Sequence, residues 1–91
     1  MSLFTMMVED TFHFENGRTM FIGVVESEAD PIPPCDCEIV VGDEIKTSVR
    51  IDGEAIPKGN QTPNRVISTS ERIDLSSYGI GRSGFTIRSK V

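Results

Sequence analysis

Cys35 and Cys37, two thiols flanking Asp36, carry the widest chemical repertoire in this chain. At that spacing they reach one metal ion only if the backbone bends between them, and a structural zinc takes four nitrogen or sulfur ligands. The chain has no second cysteine pair, and its only further soft ligand is the single histidine, His13. A Cys35–Cys37 disulfide would be strained and out of place in a reducing compartment. The expectation is therefore one cysteine packed in the core and one near a loop, with no metal and no cofactor.

His13 would be a general base only beside a serine or cysteine and a third, orienting group. Its local sequence, Thr-Phe-His-Phe-Glu, supplies none, so it reads as a partly exposed strand residue. Tyr78-Gly79-Ile80-Gly81-Arg82-Ser83-Gly84 has the look of a phosphate loop. Such a loop needs a helix N-terminus behind it and a Gly-Lys-Ser/Thr ending. Here a strand pattern follows, so the stretch reads as a mobile loop and no nucleotide is expected. Carboxylates are plentiful, yet none is flanked by an organised set of catalytic partners. No enzyme is expected.

The charge is unevenly placed. Residues 1–56 hold twelve acids against three bases, a local charge of −9, and residues 57–91 hold six bases against two acids, +4. Pairing of the two halves across a sheet would neutralise most of this. The overall −5 argues against unspecific nucleic-acid binding, which depends on neutralising phosphates. A local patch of Arg65, Arg72, Tyr78, Arg82 and Arg88, with Lys58, remains a candidate RNA contact on the loops.

The elements that must position these groups are strands. The 91 residues make one domain, 1–91, with a thin core. No apolar run is long enough to span a membrane, and the start of the chain has no signal-like pattern, so a cytoplasmic protein is expected. Apolar alternation through Phe4, Met6, Val8, Phe12 and Phe14 gives a long first strand. It is interrupted at Asp10, which suggests a bulge or a sheet edge there. Further strands are expected over 19–27, 37–41, 44–51 (Ile45, Val49 and Ile51 on one face), 65–75 (as one strand or two short ones bent near Ser70) and 85–91, with a short one after the Asp52-Gly53 turn. Residues 28–34 and 57–64 read as Pro- and Gly-rich loops, with Ile32 as a plug for one end of a barrel. No helical period is sustained. The sequence thus predicts an all-β fold, a small antiparallel barrel of about six or seven strands.

Asn16-Gly17 is the clearest turn signal and suits a two-residue type I′ hairpin. In that register Phe12 faces Phe21 and His13 faces Met20. Val8, Phe12, Phe14, Phe21 and Val25 share the core face, while Glu9, Thr11, His13, Met20, Ile22 and Val24 share a mixed face. Val8-Glu9-Asp10-Thr11-Phe12, the Asn16-Gly17-Arg18-Thr19 turn, and Gly23 with Val25-Glu26 follow without a gap. In this the stretch over residues 8–42 resembles the second domain of translation elongation factors such as elongation factor Tu. The turn glycine and arginine fall one place later than in that family, and its Gly-Asp-containing stretch corresponds either to Ile32 to Ile39, with Cys35 in place of the glycine, or to Gly42-Asp43-Glu44-Ile45.

The resemblance implies a translation-factor-like barrel that serves as an accessory, packing against another domain and touching RNA, with no GTPase domain in this chain. Because the resemblance lies in the acidic half, the expected role is a binding module. It would engage a protein partner, or a second copy of itself, through His13, Met20, Ile22 and Val24. An RNA- or ribosome-associated role through the arginines is the alternative.

Overall fold

A computed structural model describes residues 4–27, 32–55 and 64–90. It is all-β. The strands are β1 (Phe4–His13), β2 (Thr19–Ser27), β3 (Cys35–Val41), β4 (Glu44–Ile51), β5 (Gly53–Ala55), β6 (Asn64–Thr69) and β7 (Phe85–Ser89). All pairings are antiparallel, in a single sheet of order β4-β3-β7-β1-β2-β6-β5.

The two edges of that sheet, β4 and β5, are separated in the chain by Asp52 alone. One bent strand therefore serves both edges and curls the sheet into a small barrel. The corner is tied to β6: the Asp52 amide donates to the Ser68 carbonyl oxygen at 2.7 Å, and the Thr69 hydroxyl donates to the Arg50 carbonyl oxygen at 2.6 Å. Gly53 takes the corner at φ 119°, where a Cβ would also lie 3.2 Å from the Ile32 carbonyl oxygen. Asp52-Gly53 is thus a corner within a strand and not a hairpin turn.

The core is the inner layer of this curled sheet: Phe4, Met6, Val8, Phe21, Ile39, Ile51, Ile67, Phe85 and Ile87. Each such side chain stabilises by roughly 1.5–3 kcal/mol when buried. Phe21 and Phe85 meet edge to face with ring centres 6.0 Å apart.

The β1–β2 hairpin departs from the register expected of it. Phe14 and Arg18 flank a three-residue loop, with the Phe14 amide donating to the Arg18 carbonyl oxygen and the Gly17 amide to that of Phe14. Only Gly17 has positive φ, 87°. This is a type I turn followed by a glycine bulge, the alternative that a three-residue loop selects. Thr11 therefore faces Phe21, Phe12 faces Met20 and His13 faces Thr19. A second shift follows at Glu9, the extra residue between the pairs Val8–Gly23 and Asp10–Ile22. A bulge resets which residues point inward. Phe4, Met6 and Val8 are buried, as expected, but beyond the bulge Thr11 turns in and Phe12 and Phe14 turn out.

A matching bulge at Lys46, between the pairs Ile39–Thr47 and Val40–Ile45, leaves Val49 and Ile51 inside and turns Ile45 out. Gly23 lies beside the first bulge. A Cβ there would sit 2.0 Å from the Met7 carbonyl oxygen, so β1 approaches as closely as only glycine permits.

Both barrel ends are plugged. Ile32 fills one end; its amide donates to Glu54 Oε1, and its carbonyl oxygen accepts from the Glu54 amide, each at 2.9 Å. At the other end β6 stops at Thr69, at the bend expected near Ser70, and no second strand continues to Leu75. There the Thr69 hydroxyl oxygen also accepts from the Glu71 amide and diverts the chain. The chain continues through a 3-10 helix (Leu75–Tyr78), and Ile73, Leu75 and Ile80 fold in over the barrel end. Three side chains from β1 and β2 tether this segment. Thr11 Oγ1 donates to Arg82 O at 2.9 Å, Thr19 Oγ1 to Glu71 O at 3.4 Å, and His13 Nε2 lies 2.9 Å from Ile73 O. Lys58, most of the 57–64 loop, Ile56 and residues 28–31 lie outside the described residues.

Candidate functional site

The outer side of the sheet over β1, β2 and β6 carries an apolar face whose rows follow from the strand register. Met7 stands opposite Val24, Ile22 lies between Asp10 and Val66, and Phe12 stands opposite Met20. Phe14 follows Phe12 by two residues. Met7, Phe12 and Phe14 are 58%, 40% and 46% exposed; Met20, Ile22, Val24 and Val66 are partly exposed between their neighbours. Single exposed apolar residues are ordinary, but a contiguous group of them marks an interaction surface.

Of the residues expected on this face, Met20, Ile22 and Val24 are there and His13 is not. The hairpin loop is one residue longer than a type I′ turn, so Phe12 takes the place opposite Met20. His13 instead turns to the barrel end and holds Ile73. The exchange makes the face more apolar than the sequence suggests.

The face is framed by charge. Toward the Ile32 end a polar row crosses the sheet: Glu26 faces Thr5, Thr5 faces Arg88, and Arg88 faces Glu38. Along β1 stand Glu9 and the Asp10–Arg82 pair, 3.0 Å apart. Arg82 also covers one side of Phe12, with its guanidinium 5.5 Å from the ring centre. Glu15 lies at the hairpin tip, beside Arg18, which pairs with Asp52 at 3.3 Å.

The arginines expected to form an RNA patch are dispersed, and most are engaged. Arg65 makes a bidentate pair with Glu54 at the Ile32 end, Arg88 pairs with Glu38 at 3.1 Å, and Arg82 with Asp10. Each of these acids comes from the acidic first half of the chain. Arg72 and Tyr78 are exposed at the opposite end from Arg65, where both line one cleft beside β4. Arg72 has no ion pair among the described residues. Glu54 is held below the usual carboxylate range, chiefly by its hydrogen bonds from Arg65.

Clefts of about 270, 320 and 400 Å³ open around Ile73 and Asp74 at the 3-10 helix end. His13, Asp74 and Ser76 share one of them. The Ser76 and Ser77 hydroxyls donate to the Asp74 carboxylate at 2.6 and 2.8 Å, which lowers its pKa. His13 bonds to a backbone carbonyl. The three residue types are present, but both serines bond to the carboxylate and neither to His13, so they do not form a serine–histidine–carboxylate relay in this arrangement.

The Cys35 and Cys37 thiols are both buried and free, with Sγ atoms 3.8 Å apart. Burial pushes both thiols up, Cys37 the further, so neither forms a thiolate readily. Cys37 is packed in the barrel, and Cys35, the first residue of β3 after the Pro33-Pro34 segment, is buried with it because alternation puts both on the inner face. No group of three or more His, Cys, Asp or Glu residues arranged for a metal occurs among the described residues, nor does a helix long and apolar enough to cross a membrane. No family model, curated protein or solved structure matches this chain.

Proposed function

We propose that this protein is a non-enzymatic binding module that docks a protein through the outer face of β1 and β2. The observation that carries this reading is the contiguous arrangement of Met7, Phe12, Met20, Ile22 and Val24 on the outer side of the sheet, with Phe12 brought there by the bulge at Glu9 and the others by plain strand alternation. A barrel with a thin core gains stability from every apolar residue it buries, yet this one leaves a Phe-Met-Ile-Val cluster at the surface. The resemblance of residues 8–42 to the accessory barrel of translation factors supports the same reading, since that barrel works by packing against neighbours. The RNA alternative has less support, because Arg65, Arg82 and Arg88 each face a carboxylate of their own chain.

The test is a pair of variants read on the native protein by light scattering and affinity capture. Phe12→Gln with Met20→Gln should abolish a complex or self-assembly that Arg72→Ala with Tyr78→Ala leaves intact. The opposite result, with RNA released at high salt, would move the function to the 3-10 helix end.

A further inference from the structure

The charges around the outer apolar face specify what fits it. Three arginines border the face, and each is neutralised within the chain: Arg18 by Asp52, Arg82 by Asp10, Arg88 by Glu38. Three acids border it too, Glu9 at the bulge, Glu15 at the hairpin tip and Glu26 at the end of β2. They are exposed and make no ion pair among the described residues. Among the described residues the rim therefore has a net charge of −3 around a centre of Met7, Phe12, Met20, Ile22 and Val24.

We propose that the occupant of this face is a heterologous protein segment with an apolar centre and a lysine- or arginine-rich border. The proposal rests on the docking role assigned to the face above and adds the chemistry of the partner. A second copy is disfavoured by the same rim, because face-to-face pairing about a two-fold axis brings three unpaired carboxylates toward three others. Like charges across an interface oppose association and act as a filter against the wrong partner. The paired arginines also bear on the choice. An acidic partner would have to displace Asp10, Asp52 or Glu38 to reach a free cation, whereas a basic partner finds Glu9, Glu15 and Glu26 open.

The experiment uses two fluorescent amphipathic peptides that share a leucine face, one with lysines and one with glutamates on the other face. A scrambled lysine peptide of the same composition reports charge alone. Binding to the full chain is read by anisotropy, with light scattering on the same samples. The lysine peptide should bind about tenfold tighter than either the glutamate or the scrambled peptide and weaken as salt rises. Phe12→Gln with Met20→Gln should abolish its binding. Reversal of the rim by Glu9→Lys, Glu15→Lys and Glu26→Lys, all at exposed positions, should exchange the preference between the two amphipathic peptides.

Equal binding of both amphipathic peptides, lost together in the Phe12–Met20 variant, would overturn the basic partner and keep the docking face. A dimer that this variant dissociates, with no peptide bound, would name a second copy as the occupant and likewise overturn the basic partner. Lysine-peptide binding indifferent to the Phe12–Met20 variant, or a monomer that binds neither peptide, would overturn the face itself.

Discussion

Strands β1 and β2 carry two apolar faces built from the same residue types, one enclosed and one exposed. Phe4, Met6, Val8 and Phe21 line the barrel interior, with Phe21 fully buried, while Met7, Phe12, Met20, Ile22 and Val24 lie outside. Composition does not separate the two sets. Alternation parts Phe21 from Met20 and Ile22, and Met6 from Met7, while Phe12 lies outside because Glu9, inserted opposite no partner, shifts the first strand between Val8 and Asp10. Which side of the sheet an apolar residue takes thus depends on where a bulge falls as well as on alternation.

The strongest way to break this comparison is to delete Thr11 while leaving the bulge residue Glu9. If the bulge stays, Phe12 is drawn into the place of Thr11; if it closes, Asp10 turns inward. Either way the hydroxyl that anchors the segment over the barrel end through Arg82 O is lost. A domain this small has roughly 5–15 kcal/mol in hand, and an overpacked barrel or a buried carboxylate on top of the lost anchor consumes most of it. The expected result is a larger fall in urea midpoint than any core truncation gives, whereas deletion of Glu9, which leaves Val8 inside, Asp10 outside and Thr11 inside, should keep the fold.

Core truncation is the next largest effect. Phe21→Ala should cost about 3–5 kcal/mol, because it empties the centre of the barrel and removes the edge-to-face contact with Phe85. Gly23→Ala belongs close behind, at about 3 kcal/mol, because its Cβ would meet backbone that cannot move away cheaply. Urea midpoints at constant slope read both. A Gly23→Ala protein as stable as the parent would mean that β1 does not lie where the bulge places it.

The barrel, its approximate number of strands and most strand positions were legible in the sequence, through alternation and through Asn16-Gly17, Asp52-Gly53 and the prolines. The interruption at Asp10 was legible too. Its consequence was not. Following the bulge through would have turned Phe12 and Phe14 outward, but the bulge depends on remote partners, the Gly84 amide on Val8 O and Arg82 on Asp10. The same limit hid the segment over 70–84. Ile73, Leu75 and Ile80 have no regular period, and Thr11, Thr19 and Thr69 look like surface residues until their hydroxyls are seen to hold that segment and the barrel corner. Of the outer apolar face, Met20, Ile22 and Val24 were legible because β2 has no bulge.

A smaller effect separates the two barrel ends. Glu54 is largely buried and held by Arg65, so Arg65→Gln should cost about 2 kcal/mol near neutral pH. The pH dependence has a definite sign. A carboxyl whose folded pKa is depressed contributes its full stability above its ordinary value, 4.5 here, and loses it as pH falls through the lower folded value. The parent should therefore lose stability below about pH 4.5 more steeply than Arg65→Gln, which has less to lose. Parallel acid profiles would show that the pair contributes nothing.

The smallest expected effect on stability is the most informative about function. Phe12→Ala removes a ring from the outer face. The Arg82 guanidinium covers one side of that ring, a contact worth about 0.5–1 kcal/mol at an exposed site. Arg82 keeps Asp10 and the Thr11 carbonyl, so the barrel end stays anchored. The loss should stay below about 1 kcal/mol, several times less than for Phe21→Ala, although the same side chain is removed from the facing strand. If Phe12 costs as much as Phe21, it is a core residue and the outer face is part of the fold. If it costs little to stability but abolishes docking, the two aromatic residues divide between them the two tasks of the hairpin: one closes the barrel and the other meets the partner.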